Sequence, residues 1–223
     1  MTDGNPGPIF FRPDRLKALT DGVIAIVITL LVLELTVPVV DEIRGSEGLW
    51  PELRGMWREY LSYIVSFFIV GILWLYHHSV FRYIRRADGT LLFLNMLFLL
   101  AVSLMPFTSA LVASNWDERL AAIVYGSSML LAATANAGCF AYASWKRRLT
   151  DQNLDGAFIR AENRGALVVL VVMGSAAALG YFSAIYTYAI LGATVIFYWT
   201  ITALNREGVS ARRREWHGEE LEA

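Results

Sequence analysis

Cysteine is almost absent from this chain of 223 residues, which has a single one, Cys139. A lone cysteine cannot form an internal disulfide, and in an apolar segment it is interpreted as a small packing residue. The sequence also lacks a phosphate-binding glycine loop, a nucleophile elbow and a zinc-protease helix. These absences argue against the common enzyme classes, so we expect a protein that is not an enzyme and needs no cofactor.

Long apolar runs take the place of such motifs. Hydrophobic residues make up 56% of the chain, and its mean hydropathy is +0.47. A soluble domain of this length seldom carries several apolar runs of membrane-spanning size, so the composition predicts an integral membrane protein. A cleaved signal peptide is not expected, because the first run begins late and more runs follow it.

Six of these runs are long enough to cross a bilayer, which takes about 20 helical residues. The fold class predicted is therefore all-α, with one six-helix transmembrane domain over residues 1–206 and a charged tail over 207–223. Pro106 is expected to bend the third span, and the last two spans to form a tight hairpin around Ser183. The expected spans are 17–37, 57–81, 89–113, 119–145, 163–182 and 185–204.

Basic residues are sorted to one side of these spans. Fifteen of the nineteen lie before or at the start of the first span, between the second and third, between the fourth and the first turn of the fifth, or after the sixth. The positive-inside rule then places both termini in the cytoplasm, which requires an even number of spans. Small residues are dense in the fourth and fifth spans, which favours close helix packing and a scaffold role, and Asn136 is expected to form an interhelical hydrogen bond.

The first span has the most informative pattern. On a helical wheel, Ile26, Thr29, Leu30 and Leu33 form one apolar stripe with a single hydroxyl, and Asp21 lies well away from it. If several copies met around an axis, this stripe would form a narrow hydrophobic pore with a ring of threonines. The alternative is a stripe that faces lipid or a neighbouring helix, as in nearly every membrane helix.

Polar residues on the next two spans fall in the same layer as Asp21. Trp74 and His77 share one face of the second span, and Asn95 lies near the same end of the third. Together with Arg15 they can satisfy a carboxylate that is costly in lipid. A zinc site is disfavoured because no further ligand completes a tetrahedron, whereas a proton-sensing role for His77 stays open.

These patterns resemble the prokaryotic transmembrane protein 175 family of potassium channels. The resemblance rests on three segments that together cover much of the first half of the chain: RLKALTDGVIAIVITLLVLEL at 15–35, SFFIVGILWLYHH at 66–78 and LNMLFLLAVSLMPF at 94–107. The chain departs from the family pattern at Leu19, where the family usually has phenylalanine. The TVGYG filter of ordinary potassium channels is absent.

The resemblance implies a homotetramer in a prokaryotic plasma membrane, with four copies of the first helix lining a K⁺-selective pore. It implies that Ile26, Leu30 and Leu33 form a hydrophobic constriction, and that K⁺ passes near the hydroxyl of Thr29. It also implies no metal site and a structural polar network of Arg15, Thr20, Asp21, Trp74, His77 and Asn95. A weakly selective cation leak, a proton-coupled secondary transporter and a non-conducting scaffold are the alternatives.

Overall fold

A computed structural model describes residues 12–38 and 49–201 of the chain, and every regular element in these two ranges is helical. An isolated antiparallel bridge joins Ile84 and Thr150 at one end of the molecule. The backbone N–H groups of Arg85, Arg86 and Asp151 form hydrogen bonds beside it. The helices are α1 Asp14–Leu33, α2 Leu49–Gly55, α3 Trp57–Phe81, α4 Gly89–Ser103, α5 Met105–Ser114, α6 Arg119–Ser144, α7 Gly156–Leu179 and α8 Ala184–Ile201.

Six helical segments of the described chain are long and apolar enough to cross a membrane, as the sequence predicts. The third segment, Gly89–Ser114, combines α4 and α5. The segment is interrupted at Leu104 because Pro106 has no N–H to bond to the preceding turn, so α4 cannot continue through it. Pro106 instead lies in the first turn of α5, where the backbone N–H groups have no partner within the helix. The expected bend is therefore an interruption between two helices. The short hairpin link also agrees, since α7 ends at Leu179 and α8 begins at Ala184.

The start of α7 differs from the expectation. It begins at Gly156, about two turns before residue 163. The carboxylate of Asp155 accepts a hydrogen bond from the backbone N–H of Ala157 at 2.9 Å and caps the helix there. Arg160, Glu162 and Arg164 lower the hydropathy of these first turns, so an apolar run alone places the start too late. The short helix α2 was also not predicted.

Helix α6 is the centre of the second half of the fold, because it packs against both α4 and α7. Its contact with α7 depends on small residues: a Cβ atom added to Gly126 would lie 2.7 Å from the Cα of Ala177. Asn136 of α6 donates from Nδ2 to the carbonyl of Leu73 in α3 at 2.8 Å, which confirms the interhelical bond expected there. These contacts show the close helix packing that the small residues predict for this half.

Two of the basic connections lie side by side. The backbone N–H of Arg85 donates to the carbonyl of Leu149 at 2.8 Å, and Arg148 forms an ion pair with the buried Asp88 at 3.2 Å. The link between α3 and α4 and the link between α6 and α7 therefore occupy the same end of the molecule, as the charge sorting predicts. The charged tail expected at 207–223 lies outside the described residues.

Candidate pore-lining helix and its polar network

Helix α1 has two faces of different character. Ile24, Val27 and Leu31 are buried in the core of their own subunit. On the other side, Ile26 is 59% exposed and Leu33 is 75% exposed. One face of α1 therefore packs against the other described helices, while an apolar face of the same helix is exposed in the described part of the chain.

The stripe predicted from the helical wheel coincides with this uncovered face. Leu30 and Thr29 are exposed beside Ile26 and Leu33. The hydroxyl of Thr29 donates to the carbonyl of Ile26 at 2.8 Å, within the same helix. Because the hydroxyl proton is used in that bond, the lone pairs of the oxygen remain to accept from water or to coordinate a cation.

A buried hydrogen-bonded group joins α1 to α3 and α4. Asn95 is fully buried, and its Nδ2 donates to the hydroxyl oxygen of Thr20 at 3.1 Å. Its Oδ1 lies 2.9 Å from Nε2 of His77, which gives Nε2 the role of donor in this arrangement. One asparagine therefore connects three helices. Leaving any of these groups unpaired in the apolar interior would cost about 1–3 kcal/mol.

The imidazole of His77 is also held by aromatic rings. Its ring centroid lies 3.9 Å from that of Phe81 and 5.3 Å from that of Phe98, with both pairs stacked. His77 is almost fully buried between them. The ring therefore has a fixed orientation, with one edge toward Asn95.

A second link lies next to the first along α1. The indole Nε1–H of Trp74 donates to the carboxylate of Asp21 at 2.8 Å. Hydrogen bonds to an ionised acceptor are stronger than neutral ones. Thr20 and Asp21 are neighbours in sequence and point about 100° apart, so α1 is held to α4 and to α3 in two directions. The two links together fix the rotation of α1 about its axis.

Of the six residues predicted for the polar network, the subunit brings five together in these two linked groups. Arg15 is the exception: its side chain is exposed, and it makes no hydrogen bond or ion pair with the residues that the structure describes. No group of three or more histidine, cysteine, aspartate or glutamate side chains in the described ranges is arranged to hold a metal ion.

A ladder of hydroxyl groups between α3, α5 and α6 was not predicted. Ser66 lies 2.9 Å from the hydroxyl of Ser109 and 2.7 Å from that of Tyr125, and Ser62 donates to the carbonyl of Ser109 at 2.9 Å. The spacing of Ser62 and Ser66, one helical turn apart, was the available signal. These hydroxyl groups are buried, and their hydrogen bonds hold the broken span against its neighbours.

The sequence of the chain is similar to those of known channel proteins. Residues 15–106 match the family described as endosomal/lysosomal potassium channel TMEM175. A potassium channel of Streptomyces collinus is 36% identical over 192 residues, which cover 82% of this chain and 90% of that protein. The endosomal/lysosomal proton channel TMEM175 of Mus musculus is 38% identical over 114 residues, which cover 47% of this chain and 23% of that protein.

A solved structure is also similar. The crystal structure of a lysosomal potassium-selective channel TMEM175 homolog from Chamaesiphon minutus superposes with a TM-score of 0.74 at 29% identity. The match covers 84% of this chain and 96% of the other. The stretch matched by the family, 15–106, includes α1, α3 and α4 and thus every residue of the two hydrogen-bonded links.

Proposed function

Since the chain belongs to the TMEM175 family, we propose that it is a potassium-selective ion channel whose pore is lined by α1. Its similarity to a bacterial potassium channel along most of both chains supports this function. The observation that carries the proposal is the uncovered stripe on α1, which stands opposite a well-packed face and contains one hydroxyl, that of Thr29.

The proposed assembly is a homotetramer in which four copies of α1 meet around a central axis. The stripe of one subunit is then covered by the stripes of the other three. Ile26, Leu30 and Leu33 form rings of branched side chains around the axis, and a narrow apolar constriction of this kind gates by dewetting. Ions move passively down their electrochemical gradient, and no catalytic step is involved.

Thr29 is the polar layer in this pathway. Its hydroxyl proton is donated to the helix backbone, so four oxygen atoms present lone pairs to the axis. Oxygen ligands of this type can replace part of the hydration shell of a cation. Selectivity for K⁺ is therefore assigned to the layer at Thr29, between the apolar rings.

The polar network is proposed to hold the stripe toward the axis. A rotation of α1 by one residue position, about 100°, would break both the Thr20–Asn95 and Asp21–Trp74 bonds. The network thus has a structural role, with His77 as its buried end. Membership of Arg15 in this network stays a prediction, since its partner does not lie within the described part of one subunit.

Topology and location complete the proposal. We propose that both termini lie in the cytoplasm, which the sorting of basic residues along the sequence favours, and that the membrane is the plasma membrane of a prokaryote. This orientation puts the polar network at the cytoplasmic end of the pore and Leu33 toward the outer end.

Proton conduction is the second candidate function, because vertebrate relatives are named proton channels. His77 is the titratable group of the buried network beside α1. A proton-coupled transporter, by contrast, would show saturable coupled flux and a helix broken near the midplane at its site. α1, the helix of the proposed pathway, is continuous from Asp14 to Leu33, and the break at Leu104 lies between α4 and α5.

The test is flux through purified protein in liposomes. We expect a K⁺ gradient to drive flux well above that of protein-free liposomes, and an equal Na⁺ gradient to drive less. A pH-sensitive dye inside the same liposomes, without a K⁺ gradient, measures proton flux separately. Equal K⁺ and Na⁺ flux would indicate a non-selective cation leak. The absence of flux for every ion would indicate a non-conducting scaffold.

A further inference from the structure

A cavity of about 340 Å³ lies away from α1, between α3, α6, α7 and α8. Its volume is within the range of about 300–1,000 Å³ that is typical of small-molecule sites. Most of its lining is apolar, including Ile72, Ala133 and Val169. Four polar side chains also line it, and they come from four different helices: Tyr76, Asn136, Glu162 and Tyr198.

Two of these polar groups have a buried atom with no hydrogen-bond partner among the described residues. Asn136 is fully buried, and its amide nitrogen is engaged with the carbonyl of Leu73, but its Oδ1 accepts no hydrogen bond. The hydroxyl of Tyr76 is also buried and unpaired. Buried polar atoms are nearly always hydrogen-bonded in native proteins, so two unpaired atoms in one cavity indicate an occupant that pairs with them.

Glu162 gives the cavity its charge. It lies less than two turns inside the membrane-spanning helix α7, and within the described ranges it makes no hydrogen bond or ion pair. Glu162 is half-buried among the polar residues of these first turns, and a carboxylate that is partly removed from water is stabilised by a cationic partner. A carboxylate and an amide oxygen are both acceptors, so the missing partner is a donor with positive charge.

We propose that this cavity binds a protonated primary amine with a short apolar body. The ammonium group has three N–H donors, which suit the Glu162 carboxylate, Oδ1 of Asn136 and the hydroxyl oxygen of Tyr76. The apolar body lies against the aliphatic wall. The site is separate from the pore stripe, and its occupant binds whether or not the pore conducts.

The probe for the test is 2-phenylethylamine, with 2-phenylethanol as the uncharged compound of the same shape. Binding is measured by ligand-observed NMR on the full chain in phosphatidylcholine nanodiscs, whose lipids carry no primary ammonium group. We expect saturable binding of the amine, and at least tenfold weaker binding of the alcohol. In Glu162→Gln the amine is expected to lose at least tenfold in affinity.

The variant Gly165→Val tests the same site if Glu162→Gln does not fold. Gly165 of α7 lines the cavity, and a Cβ atom added to it meets no heavy atom within 4 Å. Gly165→Val therefore fills the cavity and is expected to abolish amine binding. Gly174→Val, at a site on α7 with the same free space but outside the cavity, is the matched control and should bind normally.

Two sources of the amine are distinguished by repeating the titration in phosphatidylethanolamine nanodiscs. Weaker probe binding there assigns the site to the ammonium of a lipid headgroup, and unchanged binding assigns it to a free amine. The proposal would be overturned if the amine and the alcohol bound equally and neither Glu162→Gln nor Gly165→Val altered this binding. Such a result would mean that both compounds only partition into the bilayer.

Discussion

Helices α1 and α7 both present a large apolar face to the outside of the described chain, but α1 is anchored through its own side chains to two neighbouring helices. The interhelical bond on α7 instead runs to its backbone, from the hydroxyl of Thr187 to the carbonyl of Ala176 at 2.9 Å. On α7, Val168 is 62% exposed, much as Ile26 is on α1. The hydroxyl of Ser175 on α7 bonds only to its own helix, at the carbonyl of Val172. The face of α7 is suited to lipid, whereas that of α1 is held in one direction by Asn95 and Trp74.

Exposure of an apolar helix face in one chain therefore does not by itself identify a pore. A lipid-facing helix tolerates small rotations, because any aliphatic side chain suits hydrocarbon. A pore-lining helix must present the same atoms to the axis in every subunit, so its register has to be specified. The residues that match the family, 15–106, include α1 and its anchors and exclude α7.

The largest effect is expected for a polar side chain on the stripe. Ile26→Asn should ease wetting of the constriction and raise K⁺ flux in liposomes by at least about tenfold, equivalent to ~1.4 kcal/mol of the barrier. Val168→Asn places the same group on the exposed face of α7 and should leave K⁺ flux near that of the unchanged protein. Equal fluxes for the two variants would remove the distinction between the faces.

The anchors are tested by stability. Asn95→Leu leaves His77 and Thr20 without their buried partner and should destabilise the subunit by about 1–3 kcal/mol for each group left unpaired. Thermal unfolding in detergent, followed by loss of the folded peak in size-exclusion chromatography, measures this. Ser175→Ala on α7 removes a local bond only, and its melting temperature should stay close to that of the unchanged protein.

Asp21→Ala separates assembly from conduction. Asp21 accepts from Trp74 but does not lie on the stripe, so its loss should reduce the yield of tetramer more than it changes the K⁺/Na⁺ flux ratio of the tetramer that forms. Crosslinking and size-exclusion chromatography give the yield, and liposome flux gives the ratio. A normal yield of stable tetramer would argue against a structural role for this carboxylate.

The smallest effect is expected at the hydroxyl layer. Thr29→Val keeps the shape of the side chain but removes the oxygen, and it should lower the K⁺/Na⁺ flux ratio by about threefold to tenfold, or ~1 kcal/mol. Thr29→Ser restores the oxygen and should recover most of the ratio. If valine and serine behaved alike, the oxygen of Thr29 would have no part in selectivity.

Much of this arrangement could be predicted from the chain alone. Helical periodicity was enough to place Ile26, Thr29 and Leu33 on one face, since a continuous helix has a fixed geometry. The shared layer of Asp21, His77 and Asn95 followed from their depth in consecutive spans. In each case the prediction needed only the distance along a helix and the direction in which the chain crosses the membrane.

Other features depend on contacts that the order of residues does not specify. The early start of α7 is set by the cap at Asp155 within a polar stretch, where hydropathy gives no signal. The hydroxyl ladder at Ser66 and Ser109 depends on how α3 packs against α5. The unpaired Oδ1 of Asn136 appears only once α6 and α3 are placed together.

The most direct test of the account is chemical modification of the stripe during conduction. In a Cys139→Ser background, Leu33→Cys and Val168→Cys are compared in liposomes before and after addition of a charged methanethiosulfonate reagent. We predict that the reagent blocks K⁺ flux through Leu33→Cys and leaves flux through Val168→Cys unchanged. Flux through Leu33→Cys that persists after its thiol is fully modified would show that α1 does not line the ion pathway.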